Sequence, residues 1–293
     1  MPTRTTSTGV KVWQLRDRNG QLIRWALWMA TAIIFYVSWM KISDQTTWFF
    51  VYDAPRVAAD IGGRAWPPRW EYITQLGRPI WDTLNIATLG TIFALIMAVP
   101  IAFLAARNTS PTFPLPRFVT RILKAMTGRT MTSYNVIRPF ALLIIVSSRS
   151  INSLIWALLL VSIVGPGVFA GLIAISIRSI GFCAKLLYEA IEEIDENQVE
   201  AISATGASGW QVMVYGIVPQ ILAAFAGIAV FRWDINIRES TVLGLVGAGG
   251  IGLQLQSSLN TLAWPQVSLI LFVILIAVII GEWVSAKVRA AII

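Results

Sequence analysis

Long apolar stretches alternate with short polar segments along the whole chain. A helix needs about 20 apolar residues to cross the hydrocarbon core of a membrane. Stretches that reach or approach this length predict six spans, at about residues 22–40, 84–106, 151–164, 168–188, 212–231 and 267–284. We therefore expect an all-α integral membrane protein with about six transmembrane helices.

Two apolar stretches are interrupted. The stretch 140–164 contains the polar run 147–150, so we expect Arg149 near the cytoplasmic boundary, with the residues before it lying along the membrane interface. A turn is expected at 165–167, where a proline stands between two glycines. The stretch 242–255 is apolar but too short to span, which predicts a broken or re-entrant element.

Basic residues mark one side of the membrane. Residues 107–138 contain six bases and no acid, and residues 1–24 contain five bases and one acid. Because Lys and Arg are concentrated on the cytoplasmic side of spans, these segments and both termini are expected to be cytoplasmic. The chain then divides into 1–83, with a cytoplasmic segment, an anchor helix and an external loop at 41–82, and a transmembrane domain at 84–293.

The composition supports a membrane protein and excludes several kinds of site. Only 13% of the residues are charged and the mean hydropathy is +0.68; soluble domains carry roughly a quarter charged residues. The chain has no His and a single Cys, Cys183, which excludes internal disulfides, Cys/His metal sites and triads with a histidine base. The net charge of +8 comes from scattered bases, so we expect contact with membrane lipid and not with nucleic acid.

A glycine-rich run resembles a nucleotide-binding turn in its spacing alone. Gly247, Gly249 and Gly252 fit G-x-G-x-x-G, but that fingerprint needs an acid about 20 residues further on, where this chain has Phe272. A P-loop sequence is also absent, so nothing indicates ATP hydrolysis by this chain. With Gly250, these glycines either line a pathway or allow tight helix packing, and both alternatives stay open.

Charged residues within the spans are the candidates for an anion pathway. Arg178 lies in the middle of the fourth span, where it either attracts an oxyanion or pairs with an acid on another helix. Arg232, Asp234 and Arg238, followed by Glu239, are expected at the outer end of the fifth span, as a pairing network or a docking rim. Arg149 has a weaker claim on the pathway.

The segment after the fourth span has a recognisable spacing. Glu200-Ala201-Ile202, three residues, Gly206 and then Pro219 resemble the E-A-A-x3-G-x9-I-x-L-P signature of ATP-binding-cassette importer permeases. The resemblance implies a coupling helix at about 196–210, seated in a groove of a cytoplasmic ATPase.

Three positions depart from this signature. Ile202 replaces the second alanine, Gly216 the isoleucine and Val218 the leucine. Ile202 is the departure that bears on the contact with the ATPase, because it is bulkier than alanine and lies within the coupling helix. The other two departures lie beyond that helix.

Three further stretches resemble the phosphonate-type permease subunit PhnE, at 149–157, 181–192 and, most specifically, 232–252. The resemblance implies a type I importer permease (MetI-like) fold in a bacterial cytoplasmic membrane. It also implies a homodimer, two ATPase subunits that hold ATP and Mg, and one external substrate-binding protein. The implied substrates are phosphonate, phosphite and phosphate. Asn152-Ser153 replaces the usual Pro-Glu and Arg178 the usual His, which leaves the particular substrate open.

A second class of protein explains part of the pattern. A secondary transporter or channel for anions also has several spans, a broken segment and a membrane arginine. It does not explain the spacing from Glu200 to Pro219, and it needs no ATPase. A membrane-embedded enzyme is disfavoured by the absence of His, and we expect no catalytic residue, metal or cofactor in this chain.

Overall fold

The computed structural model describes residues 3–13, 18–109 and 133–292. The chain divides into two compact units, 1–63 and 64–293. The first unit contains an antiparallel hairpin of β1 (Thr3–Thr5) and β2 (Lys11–Trp13), then α1 (Arg18–Gln45), and most of α2 (Trp48–Ala65). The first predicted span lies inside α1, which is apolar on all sides and buries none of its candidate span against the protein.

The predicted external loop is largely helical. Within 41–82, α2 and a 3₁₀ turn at Trp70–Tyr72 precede the next long helix. The charged residues of α2 recur three or four positions apart, which places Asp53, Arg56, Asp60 and Arg64 along one side of the helix. This segment is therefore an amphipathic helix and a short turn rather than an irregular loop.

The second unit holds the remaining helices. Its described helices are α3 (Ile73–Ala105), α4 (Ser133–Ser150), α5 (Ser153–Val164), α6 (Val168–Glu192), α7 (Glu196–Ala204), α8 (Gly209–Val212), α9 (Val218–Leu243), α10 (Ile251–Asn260) and α11 (Trp264–Ile292). The second span thus starts earlier than predicted, and the predicted boundary at 83/84 falls inside α3. If α4 and α5 count as one span, the structure has six candidate spans, which is the predicted number.

The packing of α3 against α6 forms the centre of this unit. Small residues line the contact, and a Cβ placed on Gly90 would lie 3.1 Å from Cγ2 of Ile175. Small side chains allow helix backbones to approach closely in a membrane. Ile86, Ala174 and Ile175 form a buried cluster here with Ala157, Leu243 and Ala248 from α5, α9 and the loop that follows α9.

The expectation of an interfacial stretch before Arg149 is wrong. Ala141 and Ile145 of α4 are buried against α3 and α6. A Cβ on Gly181 would lie 2.9 Å from the backbone nitrogen of Arg149, so Arg149 lies beside the middle of α6 and not beside either of its ends. The sequence misleads because Ser148 of the polar run at 147–150 is satisfied inside the protein, where its hydroxyl donates to the carbonyl of Ile177, while Ser147, Arg149 and Ser150 are exposed.

The third predicted span is only the second half of a bent element. The chain turns by 86° between α4 and α5. The side chain of Asn152 caps α5 by accepting a hydrogen bond from the amide of Leu154 at 3.2 Å. α5 has 12 residues, too few to cross the hydrocarbon core by itself.

The fifth predicted span ends too early. The chain is helical from Gly209 through a π-helical turn at Met213–Ile217 to Leu243, beyond the predicted end at 231. Hydropathy falls at Arg232, but the helix continues because its charged residues find partners within the protein. The fourth span begins at Val168, as predicted, and the sixth is longer than predicted. Most of the predicted cytoplasmic segment 107–138 lies outside the described residues.

Candidate functional site

A charge network lies halfway along α6 and α9, and Arg232 is at its centre. This arginine is 2% exposed, although the sequence places it at the outer end of a span. Its Nε donates to Oγ of Ser179 at 2.9 Å, and its Nη2 lies 3.4 Å from Oε2 of Glu239. The guanidinium also lies over the ring of Phe182, 5.1 Å from the ring centroid. Arg232 is therefore fixed on several sides.

Arg178 reaches the same carboxylate from the neighbouring helix. Its Nη1 lies 2.7 Å from Oε1 of Glu239 and 3.4 Å from Oγ of Ser153, the first residue of α5. Arg178 was expected either to attract an oxyanion or to pair with an acid on another helix, and in the structure it pairs with Glu239. The side chain is still 31% exposed, so this pairing leaves part of the side chain accessible. Its part in a pathway stays a prediction.

Neutral polar side chains complete the network on the side of α3. Asn236 is fully buried and donates from Nδ2 to Oγ1 of Thr91 at 2.8 Å and to Oγ of Ser179 at 3.1 Å. Trp233 donates from Nε1 to Oγ1 of Thr88 at 3.0 Å. Buried polar groups are costly unless they are hydrogen-bonded. These bonds explain why so polar a segment remains at mid-depth.

Ser179 and Asn236 were not predicted as members of the site, and Glu239 was predicted in a pairing network at the end of the span but not as the partner of Arg178. A signal for two of them was present, because Arg232, Asn236 and Glu239 recur at helical spacing and therefore share one face of α9. The helical spacing was overlooked because residues 232–239 were predicted to lie beyond the end of a span. The sequence around Ser179 contains no motif that indicates a role for it, apart from its position next to Arg178.

Two predicted pathway residues pair outside this network. Asp234 is buried and accepts a hydrogen bond from the guanidinium of Arg238 one turn later on α9, and Arg238 is half exposed. Arg149 is exposed at the end of α4. Among the described residues, no hydrogen bond or ion pair joins its side chain to Arg178 or Arg232. The structure therefore brings together Arg178 and Arg232, and not all five charged candidates.

The glycine run forms a turn between α9 and α10. A 3₁₀ turn at Gly244–Val246 ends in Gly247, which has φ of +88°. Gly249 and Gly250 also have positive φ, at +82° and +73°, a region that side chains with a Cβ rarely adopt. The short apolar stretch is thus a broken element, as the sequence predicts.

Backbones meet closely around this turn. A Cβ on Gly250 would lie 2.6 Å from Oγ1 of Thr83, and one on Gly252 would collide with the carbonyl oxygen of Thr241. Oγ1 of Thr83 accepts a hydrogen bond from the amide of Ile251 at 2.8 Å. The glycines were expected either to line a pathway or to allow tight helix packing, and the structure shows the tight packing. A role in lining a pathway stays a prediction.

The segment with the permease spacing forms two short helices at the opposite end of α9. The side chain of Asp195 caps α7 by accepting from the amide of Asn197 at 3.0 Å, and Gly206 follows α7 with φ of +81°. The four residues of the predicted coupling surface, Glu200, Ala201, Gly206 and Pro219, are all exposed. A cavity of about 410 Å³ lies beside them, between Asn108, Glu200 and Trp210.

Ile202 does not project outward with the exposed residues of α7. It is partly buried, and its Cδ1 lies 3.4 Å from the position that a Cβ on Gly216 would take. The expected effect of Ile202 on the contact with a partner stays a prediction. Its bulk fills space within the protein, between α7 and the π-helical turn.

Comparisons with known proteins agree with this architecture. A family model described as "Binding-protein-dependent transport system inner membrane component" matches residues 125–289. The phosphite transport system permease protein PtxC of Stutzerimonas stutzeri is 35% identical over 258 residues, 88% of this chain and 85% of that protein. The phosphate-import permease protein PhnE of Mycolicibacterium smegmatis is 35% identical over 223 residues, 76% of this chain and 38% of that protein. The inward-facing MetNI methionine ABC transporter aligns with a TM-score of 0.59 at 19% identity, over 76% of this chain and 99% of that chain.

The helices long enough to cross a membrane and the similarity to MetNI show a multi-pass membrane protein with the fold of type I importer permeases. The family match covers more than half of the chain. The chain therefore belongs to the family of binding-protein-dependent transport system inner membrane components. The resemblance to the PhnE type is confirmed by its similarity to phosphite and phosphate permeases.

Proposed function

We propose that this chain is the membrane subunit of an ATP-driven importer that carries a phosphorus oxyanion, namely phosphonate, phosphite or phosphate. The observation that carries the proposal is the pair Arg178 and Arg232, which meet halfway along the membrane helices in a permease fold. Guanidinium groups present planar donors that match the oxygens of phosphorus anions. An ionisable residue at this depth marks a substrate path by default.

The similar proteins support the substrate class. PtxC is named as a permease of a phosphite transport system, and the mycobacterial PhnE as a phosphate-import permease. The match to PtxC extends over most of both chains. Because 258 of the 293 residues are matched, the match includes the α9 segment with Arg232 and Glu239.

The ATPase is expected to dock on the exposed surface formed by Glu200, Ala201 and Gly206. This surface lies on the short helices that connect α6 to α9. A displacement of α7 would therefore be transmitted to the two helices that hold the charge network. ATP and Mg would be held by the partner, whose closure would switch the permease between inward and outward states.

The assembly we propose contains two copies of this chain, two ATPase subunits and one external binding protein. It lies in a bacterial cytoplasmic membrane with both termini inside, as the distribution of Lys and Arg predicts. Selectivity would rest largely on the binding protein, because tight retention between the arginines would slow release of the anion.

The decisive experiment measures ATP hydrolysis by the permease co-assembled with its ATPase in lipid. Binding protein loaded with phosphate, phosphite or methylphosphonate is added, with empty binding protein as the control. Stimulation by one loaded form would support the importer and identify its substrate. Uptake that proceeds without any ATPase, or no response to any loaded form, would favour the secondary transporter and overturn the proposal.

A further inference from the structure

One carboxylate holds both arginines of the charge network. Oε1 of Glu239 lies 2.7 Å from Nη1 of Arg178, and Oε2 lies 3.4 Å from Nη2 of Arg232. Each carboxylate oxygen therefore faces a different guanidinium, one on α6 and one on α9. Two oxygens of a phosphorus oxyanion would take the same positions between these donors.

The two arginines are held unequally. Arg232 is 2% exposed and is also fixed by Ser179 and by the ring of Phe182. Arg178 is 31% exposed, and its other hydrogen bond is a long one, 3.4 Å to Oγ of Ser153. If the carboxylate left, Arg232 would keep its place, and Arg178 would be free to turn toward an arriving anion.

The charges do not balance at this point. Asp234 pairs with Arg238, so Glu239 alone faces both Arg178 and Arg232. Within the described residues, no second carboxylate contacts either of these two arginines. Burying a charge without a full partner is costly. The network therefore carries an excess positive charge that a visiting anion would neutralise.

We propose that Glu239 is an internal competitor of the transported anion. In this state its carboxylate occupies the donors of Arg178 and Arg232, and the oxyanion passes by replacing it there. Because the anion binds only when the donors are free, its apparent affinity equals its intrinsic affinity multiplied by the fraction of time that Glu239 leaves them free. Glu239 thereby keeps the anion from being retained, and it admits only anions with two oxygens able to bridge the arginines. This inference rests on the function proposed above.

The test measures binding of an anion to the complete transporter in nanodiscs, without nucleotide or binding protein. The probe is whichever of radiolabelled phosphate, phosphite or methylphosphonate the wild-type complex imports, and binding is followed by equilibrium dialysis. Glu239→Gln removes the competing charge with little change of shape, so we expect its affinity for the anion to rise about tenfold. Adding Arg178→Gln to that variant removes a donor and should abolish the gain.

A normally assembled Glu239→Gln complex that binds the anion no better than wild type would overturn the proposal. So would a gain in affinity that persists without Arg178. Glu239→Asp keeps the charge but is too short to bridge both arginines, so it should shift affinity in the same direction. Failure of both Glu239 variants to assemble would overturn the proposal too, because the carboxylate would then be a structural requirement and not an exchangeable occupant.

The two proposals fail in different ways. If the wild-type complex imports no phosphorus anion with ATP and loaded binding protein, the proposed function fails. If the wild type imports one of them and the Glu239 variants bind it unchanged, the function stands and only the role of Glu239 fails.

Discussion

The Cδ1 atom of Ile202 lies in van der Waals contact with the position that a Cβ at residue 216 would take. A Cβ on Gly216 would lie 3.4 Å from that atom and 3.7 Å from the Cα of Val199. The permease signature has alanine and isoleucine at these two positions, whereas this chain has isoleucine and glycine. The larger side chain at 202 therefore lies beside the position where this chain has no side chain, and we expect the two departures to be coupled.

This relationship predicts the behaviour of a pair of substitutions. Gly216→Ile alone should overpack the contact and destabilise the protein by about 1–3 kcal/mol, whereas Gly216→Ile with Ile202→Ala should recover most of that loss. Thermal unfolding of the purified permease in detergent measures both. If the double variant is as unstable as Gly216→Ile alone, the two positions are not complementary.

Gly206 offers a test of docking by the ATPase. Gly206→Trp places a large ring on the exposed surface, where a Cβ meets nothing within 4 Å, so insertion should survive and substrate-stimulated ATP hydrolysis should be abolished. Because φ at this position is +81°, any side chain also adds backbone strain.

Gly206→Asn is the matched control, since asparagine tolerates the left-handed region better than other residues with a side chain. Hydrolysis by this variant should remain close to wild type. If Gly206→Asn and Gly206→Trp lose stimulation equally, backbone strain rather than a blocked surface explains the loss.

The glycine turn predicts a contrast between two helical glycines. Gly252→Ala should lower stability by about 1–3 kcal/mol, because the new methyl group would meet the carbonyl oxygen of Thr241. Gly227→Ala, in the middle of α9 with nothing within 4 Å, should instead be neutral or stabilise by up to about 1 kcal/mol. Thermal unfolding in detergent compares them. Equal effects would mean that close packing at Gly252 contributes nothing.

The hydroxyl of Thr83 should be needed for the turn. It accepts from the amide of Ile251 at 2.8 Å inside the protein, so Thr83→Val leaves that amide unsatisfied at a cost of about 1–3 kcal/mol. Thr83→Ser keeps the hydroxyl and should lose much less. Thermal unfolding of the two variants measures this, and a loss in Thr83→Val no larger than that in Thr83→Ser would mean that the turn does not depend on the hydroxyl.

Arg178 and Arg232 should separate transport from assembly. Arg232→Leu removes a fully enclosed partner of Glu239 and should destabilise the protein by about 3–5 kcal/mol. Arg178→Leu leaves Glu239 its contact with Arg232, so it should slow uptake more than it reduces assembly. Uptake in proteoliposomes and the yield of assembled complex measure the two effects. Normal uptake by Arg178→Leu would make this arginine structural.

Much of the fold could be predicted because spans depend on local composition. The number of candidate spans, the start of α6 at Val168 and the break between α9 and α10 follow from runs of apolar residues and from glycines. The ends of spans could not be predicted in the same way. Arg232 and Ser148 lower the local hydropathy, yet both lie within packed helices because tertiary partners satisfy them.

The candidate site, like the fold, has some features that follow from the sequence and others that depend on how the helices pack. The sequence by itself determined the membrane character, the permease segment between two spans and the presence of Arg178 within a span, since each follows from residue type and spacing. Only the tertiary structure decided that Arg178 and Arg232 share one carboxylate, and that Ile202 fills the space beside Gly216. Residues far apart in the chain meet through helix packing, and their partners are therefore set by the three-dimensional arrangement and not by local pattern.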